Sequence, residues 1–271
     1  SQVILNLGGK DNACVISLNA KDGSTRWITR DQWGASYSSP VIATIQGQEV
    51  CLVFAGGESR PPTGGLLVID PRQGKTLSRF PWRSSNYESA NAVPPIPLGG
   101  NRVFLSECYE KGGVILQFTE DFRPEVIWRD SAINLHWMTP IETKGFLYGV
   151  SGRHQRGAEV FCLNLKSLEL EWKEPIHWMD SLIGRDLRLE LFRASFLLVE
   201  GKFLCLSELG SLVWVDMDER GWKVISKTQL FFAPGTWTLP ALHGGLLYVM
   251  QNETDRQSKS GPRLICYDVR K

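Results

Sequence analysis

The chain has 271 residues, of which 42% are hydrophobic and 22% charged, with a formal net charge of +1. That balance excludes a disordered segment and leaves room for one large β-domain or two ordinary domains. The lysines and arginines form no stripe that would point to nucleic acid, and no apolar run reaches the ~18–20 residues that carry a helix across a bilayer.

From the N-terminus onward, short apolar runs alternate with glycine-rich turns, and helix-period segments are essentially absent. QVILNLG opens the chain, and SLNAKDGSTRW (17–27) reads as a strand end, a tight turn and a next strand. A proline-opened run, SSPVIATI (38–45), leads to EVCLVFAG (49–56), LLVID (66–70) and a run ending at Phe80. The same order returns at AVPPIPL (92–98), RVFLSECY (102–109), GVILQFT (113–119) and Trp128. It returns again at MTPIET (138–143), FLYGVSG (146–152), EVFCLNL (159–165) and Trp172. The degenerate SFLLVEG precedes KFLCLSE (202–208) and SLVWVDM (211–217), and WTLPAL (237–242), LLYVMQN (246–252) and RLICYDV (263–269) close the chain.

With the four recurring strands labelled a to d, the fourth-strand aromatics step from 27 to 80, 128 and 172. Four short strands in a period of that length predict an all-β fold, a β-propeller of four-stranded antiparallel blades. The expected boundaries are a partial blade at 1–30, blades at 36–83, 90–130, 136–173 and 192–230, and a partial blade at 236–271, within a single propeller domain. Because the chain opens at strand b and stops at strand c, its five to six blades are expected to belong to a longer, seven- or eight-bladed ring. The longer insertion at 173–191, which contains His177, is expected to form a short helical turn or a partner-facing flap. The six cysteines are scattered with no CxxC and no Cys/His cluster, so they predict buried free thiols and no metal site.

The repeated c–d stretch has a structural explanation at each position. Asn19, Asp70, Asn164, Asp216 and Asp268 can accept backbone N–H groups two residues on, and Gly23 and Gly74 supply the positive φ of a tight turn. Trp27, Trp128 and Trp172 are large enough to fill the wedge between neighbouring blades.

The stretches SLNAKDGSTRW and VIDPRQGKTLSRF (68–80) resemble the pyrroloquinoline-quinone-like propeller repeat, and CLNLKSLELEW (162–172) keeps its Asn and Trp while losing the Gly. SYSSP (36–40) and ANAVPP (90–95) resemble the strand-a openings of bacterial secreted proteins that share this repeat. The resemblance implies one of two outcomes. One is a non-enzymatic binding or scaffold protein of the secreted or periplasmic space, like the scaffold class that serves outer-membrane barrel assembly, without a cofactor. The other is a quinone- and calcium-dependent alcohol or sugar dehydrogenase. The second demands an axial Asp base, clustered oxygen ligands and often an adjacent Cys–Cys pair, and the chain has no adjacent cysteines.

In a four-stranded antiparallel blade the b–c loops and d–a links share one end. Here these are the long, polar segments, so a protein partner or small ligand is expected on that face. The residues leading into strand a would point inward: Tyr37, Ser38, Asn91, His136, Trp137, Arg193, Trp237 and Thr238. They would line either a funnel for a planar or sugar-like ligand or a water-filled channel. His154, between Arg153 and Arg156, belongs to a cationic b–c loop. Glu58, Glu88, Glu110, Glu208 and Glu253 occupy the same loops with no sign of pairing.

Overall fold

Period-2 alternation lets a strand bury one face, and runs apolar at every position bury both. The computed structural model, which describes residues 1–8, 10–182 and 185–270, realises both patterns in 24 strands; among the described residues the one helical element is a 3-10 turn at Lys10–Asn12. The contacts divide the chain into two compact units, Ser1–Trp137 and Met138–Lys271.

The first unit holds three sheets. β1 (Gln2–Asn6), β2 (Ala13–Asn19) and β3 (Thr25–Arg30) form a three-stranded meander. β4 (Val41–Ile45), β5 (Gln48–Ala55), β6 (Gly65–Ile69) and β7 (Thr76–Pro81) form a four-stranded one. β8 (Ile96–Leu98), β9 (Arg102–Glu107), β10 (Gly112–Phe118) and β11 (Pro124–Asp130) form another. All pairings are antiparallel. Leu52, Phe54, Leu66 and Val68 of the second sheet pack against Val103, Leu105, Val114 and Leu116 of the third. Cys51, Val53, Leu67 and Ile69, on the other face of β5 and β6, pack against Cys14, Val15 and Trp27 of the first. A sheet covered on both sides explains why VCLVFA and LLVI read as continuous apolar runs.

The second unit repeats the plan. β12 (Ile141–Thr143), β13 (Phe146–Ser151), β14 (Glu159–Asn164) and β15 (Leu170–Glu174) form one four-stranded sheet. β18 (Ser195–Val199), β19 (Lys202–Leu206), β20 (Ser211–Asp218) and β21 (Gly221–Gln229) form a second, so SFLLVEG is a regular first strand paired along β19. β22 (Ala241–His243), β23 (Leu246–Gln251) and β24 (Arg263–Asp268) close the chain as a three-stranded sheet.

Between these lies the insertion, which forms strands in place of the helical turn that was one of its two expected forms. β16 (His177–Leu182) and β17 (Arg185–Glu190) pair as a two-stranded ribbon; residues 183 and 184 lie outside the described residues. The ribbon buries Trp178 against its cross-strand partner Leu189, and Lys227 Nζ of β21 donates to the Met179 carbonyl at 2.5 Å.

Every c–d pair carries a register shift at the same place. One extra residue of strand d bulges out at Arg26, Leu77, Ile127, Glu171 and Ile225. A bulge re-aims the side chain that follows it, which is Trp27, Trp128 or Trp172 in three sheets. In the second sheet that position is Ser78, not Phe80, which instead stacks on Trp82 with centroids 6.1 Å apart. Trp27 donates its indole N–H to the Pro71 carbonyl at 3.0 Å, and Trp172 donates to the Asp218 carbonyl at 2.8 Å. In each case the acceptor lies at the c–d turn of the sheet after the tryptophan's own.

The turns themselves are Asx turns. Asn19, Asp70, Asn164 and Asp268 each accept a backbone N–H two residues on, at 3.1, 2.8, 2.9 and 3.1 Å. In the β20–β21 hairpin that acceptor is Asp218, bonded by Arg220 N–H at 2.8 Å, rather than Asp216. β20 runs two residues further there, and Asp216 faces Lys202 at 2.6 Å instead. Where the third copy lacks its glycine, Leu168 takes up the left-handed conformation with φ 62°.

Five cysteines are buried and unpaired, as small apolar groups in the core; Cys266, on edge strand β24, is exposed.

Candidate functional site

The b–c loops and d–a links meet at one end of the sheets, and in each unit a buried arginine–glutamate pair ties them together. Both glutamates close the same tripeptide where strand b ends, Leu105-Ser106-Glu107 and Leu206-Ser207-Glu208. Both arginines come from the link that enters the same sheet: Arg83 just past β7, Arg193 just before β18.

In the first unit Arg83 Nη1 lies 3.3 Å from Glu107 Oε1, and the backbone N–H of Ser84 donates to Oε2 at 2.7 Å. The same guanidinium donates to the carbonyl of Gly57 at 3.3 Å and to that of Ser89. One cation thus joins a b–c loop, a d–a link and the end of β9. Burial pushes the Glu107 carboxyl up to about 7, against the opposing pull of Arg83 and the Ser84 N–H. Arg83 Nε remains buried without a hydrogen-bond partner.

In the second unit the pair is bidentate. Arg193 Nε donates to Glu208 Oε2 at 3.0 Å and Nη2 donates to Oε1. Its Nη1 donates to the Arg153 carbonyl at 2.8 Å, which brings in the b–c loop that carries His154. Glu208 Oε1 also accepts the indole N–H of Trp237 at 3.0 Å, and the Arg193 guanidinium lies 5.1 Å from the Trp237 ring centroid. Trp237 is nevertheless 45% exposed. The ring is thus a large amphipathic surface held in place by a hydrogen bond and a cation–π contact, with much of it in water.

The eight residues expected to line a common funnel sit in different surroundings. Arg193 and Trp237 come together at Glu208, as described. Tyr37 is 84% exposed, and its backbone N–H donates to the Asn91 carbonyl at 3.1 Å. Asn91 itself is buried, its amide donating to the Ala55 and Trp82 carbonyls at 2.8 and 3.3 Å; it braces a link and faces no solvent. His136 is half-buried edge-on to Tyr109, whose hydroxyl lies 3.5 Å from Nε2, and Trp137 beside it is half-buried. Ser38 is buried, and Thr238 Oγ1 reaches Asn252 Oδ1 at 3.4 Å. Glu208, expected to be unpaired, is the hub of the second cluster. Glu107 went unnoticed in the sequence; the recurring L-S-E was the signal that could have found it.

An all-β chain of repeated four-stranded meanders, with indoles seated on the next sheet's Asx turn and ion-paired links at the loop end, defines a β-propeller of the pyrroloquinoline-quinone-like repeat class. The family model described as outer membrane protein assembly factor BamB matches residues 2–174, and the chain belongs to that family. Among solved structures it is similar to BamB from Moraxella catarrhalis, at 12% identity and TM-score 0.51, covering 92% of this chain and 78% of that one. It is similar also to the quinohemoprotein alcohol dehydrogenase from Comamonas testosteroni, at 12% identity and TM-score 0.54, over 87% of this chain and 48% of that one. A europium-containing methanol dehydrogenase matches at 10% identity and TM-score 0.57, over 94% of this chain and 66% of that one. At these identities the likeness concerns the fold. No curated protein matches the chain in sequence.

Proposed function

We propose that the chain is a binding scaffold of the bacterial periplasm or outer-membrane surface, holding a protein partner on the b–c/d–a loop face, with Trp237 as a contact residue. The observation that carries this reading is the fixed, exposed Trp237 on the Arg193–Glu208 pair. Rigid aromatic anchors on a tied scaffold lose little entropy on association. Membership of the assembly-factor family favours a protein partner in outer-membrane assembly. Among the described residues no helix is long and apolar enough to cross a membrane.

The dehydrogenase reading asks for a quinone with calcium, and two observations favour it less. Among the described residues no three His, Cys, Asp or Glu side chains come together to hold a metal ion. Each oxygen of Glu107 and Glu208 is already engaged by protein donors.

A photo-crosslinking residue at position 237 tests the scaffold reading in the producing cell, with position 223 on the c–d turn side as the control. The expected result is an adduct at 237, absent at 223, that mass spectrometry identifies as an outer-membrane assembly protein. Equal labelling at both positions would overturn the assigned face. Stoichiometric quinone uptake with dye-linked alcohol oxidation would overturn the scaffold reading itself.

A further inference from the structure

We propose that a second site, in the first unit, binds a carboxylate group in the cleft between the loops at Pro62, Arg83–Asn86 and Tyr109–Lys111. The cleft has a volume of about 300 Å³, at the small end of ligand sites, which suits a compact acidic group rather than a large cofactor.

The hydrogen-bond accounting gives the ligand its sign. The acceptors around the cleft are largely used within it. The Tyr109 carbonyl takes the Ser84 hydroxyl at 2.6 Å and the Asn86 amide at 3.0 Å. The Ser85 carbonyl takes Arg60 Nε at 3.2 Å, and Glu110, the one carboxylate lining the cleft, takes the Asn86 amide at 3.1 Å. The donors are not used up in the same way. Lys111 lies over the Trp82 ring, 4.9 Å from its centroid, and neither it nor Arg60 has a carboxylate partner within salt-bridge distance among the described residues. Arg83, which lines the cleft and is more than nine-tenths buried, keeps a buried Nε with no hydrogen-bond partner. A cleft lined by two cations, Arg83 and Lys111, against one carboxylate, Glu110, whose Oε2 is held by the Asn86 amide, favours an acceptor-rich anion.

Lys111 and Arg129 both approach the Trp82 ring, at 4.9 and 4.8 Å, so the lysine that lines the cleft shares its indole with a second cation. The chemistry is that of a carboxylate, either on a free small acid or on an acidic peptide side chain. The inference stands apart from the reading of Trp237, which lies in the other unit.

The test is an amide-resonance titration of the full chain with succinate and, separately, with a capped Glu-Glu dipeptide, each matched for ionic strength by chloride. Saturable shifts confined to Ser85, Asn86 and Lys111 are expected, and Lys111→Gln should weaken them by at least about tenfold, the effect of losing one charge-assisted bond. Lys166→Gln, on a c–d turn, should leave them unchanged. Tighter binding of the dipeptide assigns the site to a protein partner, and tighter binding of succinate assigns it to a free acid. Either outcome supports the site. Absence of saturable shifts at these amides with both probes, or equal binding by Lys111→Gln, would overturn it.

Discussion

Arg193 and Glu208 face each other as a buried fork-to-fork pair, with Nε on Oε2 at 3.0 Å and Nη2 on Oε1, and Trp237 hangs from the same carboxylate at 3.0 Å. Bidentate geometry compensates two buried charges far better than a single contact does. Removing one partner strands the other. Glu208→Ala should therefore cost about 3–5 kcal/mol in urea unfolding, whereas the paired replacement Arg193→Met with Glu208→Leu should cost much less. The indole N–H resonance of Trp237 should move to a solvent-exposed position in the single variant. An unmoved resonance would show that Glu208 does not hold the ring.

Glu107 predicts an unusual pH dependence. Its folded-state pKa is raised to about 7 from an ordinary 4.5. Between those values the folded chain holds a proton that the unfolded chain has released, so stability falls as pH rises across the window. The contribution is complete below about 4.5 and lost above about 7, with an upper bound of about 3 kcal/mol. Urea unfolding of the native chain and of Glu107→Gln from pH 4.5 to 8 isolates it. The difference between the two curves should decline with rising pH and flatten above the Glu107 transition.

Two glycines in equivalent turns separate backbone strain from packing. Gly23 and Gly74 have φ of 71° and 72°. A Cβ on Gly23 meets nothing within 4 Å, whereas one on Gly74 would lie 2.5 Å from Cε3 of Trp27. Gly23→Ala should cost about 1 kcal/mol, the price of the left-handed conformation alone. Gly74→Ala should cost roughly 1–3 kcal/mol more, as an overpacking penalty. Equal costs would show that Trp27 does not seat on that turn.

The thiols should divide five to one. Burial pushes Cys14 and Cys51 up to about 12 and Cys162 up to about 11, and raises Cys205 as well. A thiolate-selective reagent at pH 8 should label Cys266 quickly and the others only on unfolding. Peptide mapping after brief labelling reads this directly.

The repeat was legible in the sequence because four strand patterns recur with recognisable turns, and so was the sheet order within each copy. Positions inside the pattern were less so. Phe80 looked like the counterpart of Trp27, but the bulge at Leu77 makes Ser78 the equivalent residue, since one extra residue decides which side chain points at the next sheet. Asp216 looked like the turn residue, but a longer β20 hands that role to Asp218. The Arg–Glu pairs were harder still. Their partners are 24 residues apart in one unit and 15 in the other, so no fixed spacing announces them. Among the expected site residues, Asn91 shows the limit of reading loops by polarity: its amide serves two buried carbonyls inside the scaffold.

The most direct test of the scaffold account is the affinity of the cross-linked outer-membrane assembly partner, once purified, for three forms of the chain: native, Trp237→Ala and Arg72→Ala. Trp237 lies on the loop face, and Arg72 lies on a c–d turn. The account predicts a loss of at least about tenfold for Trp237→Ala, as for a central aromatic anchor, and no change for Arg72→Ala. Unchanged binding by a folded Trp237→Ala chain, or a loss confined to Arg72→Ala, would contradict it.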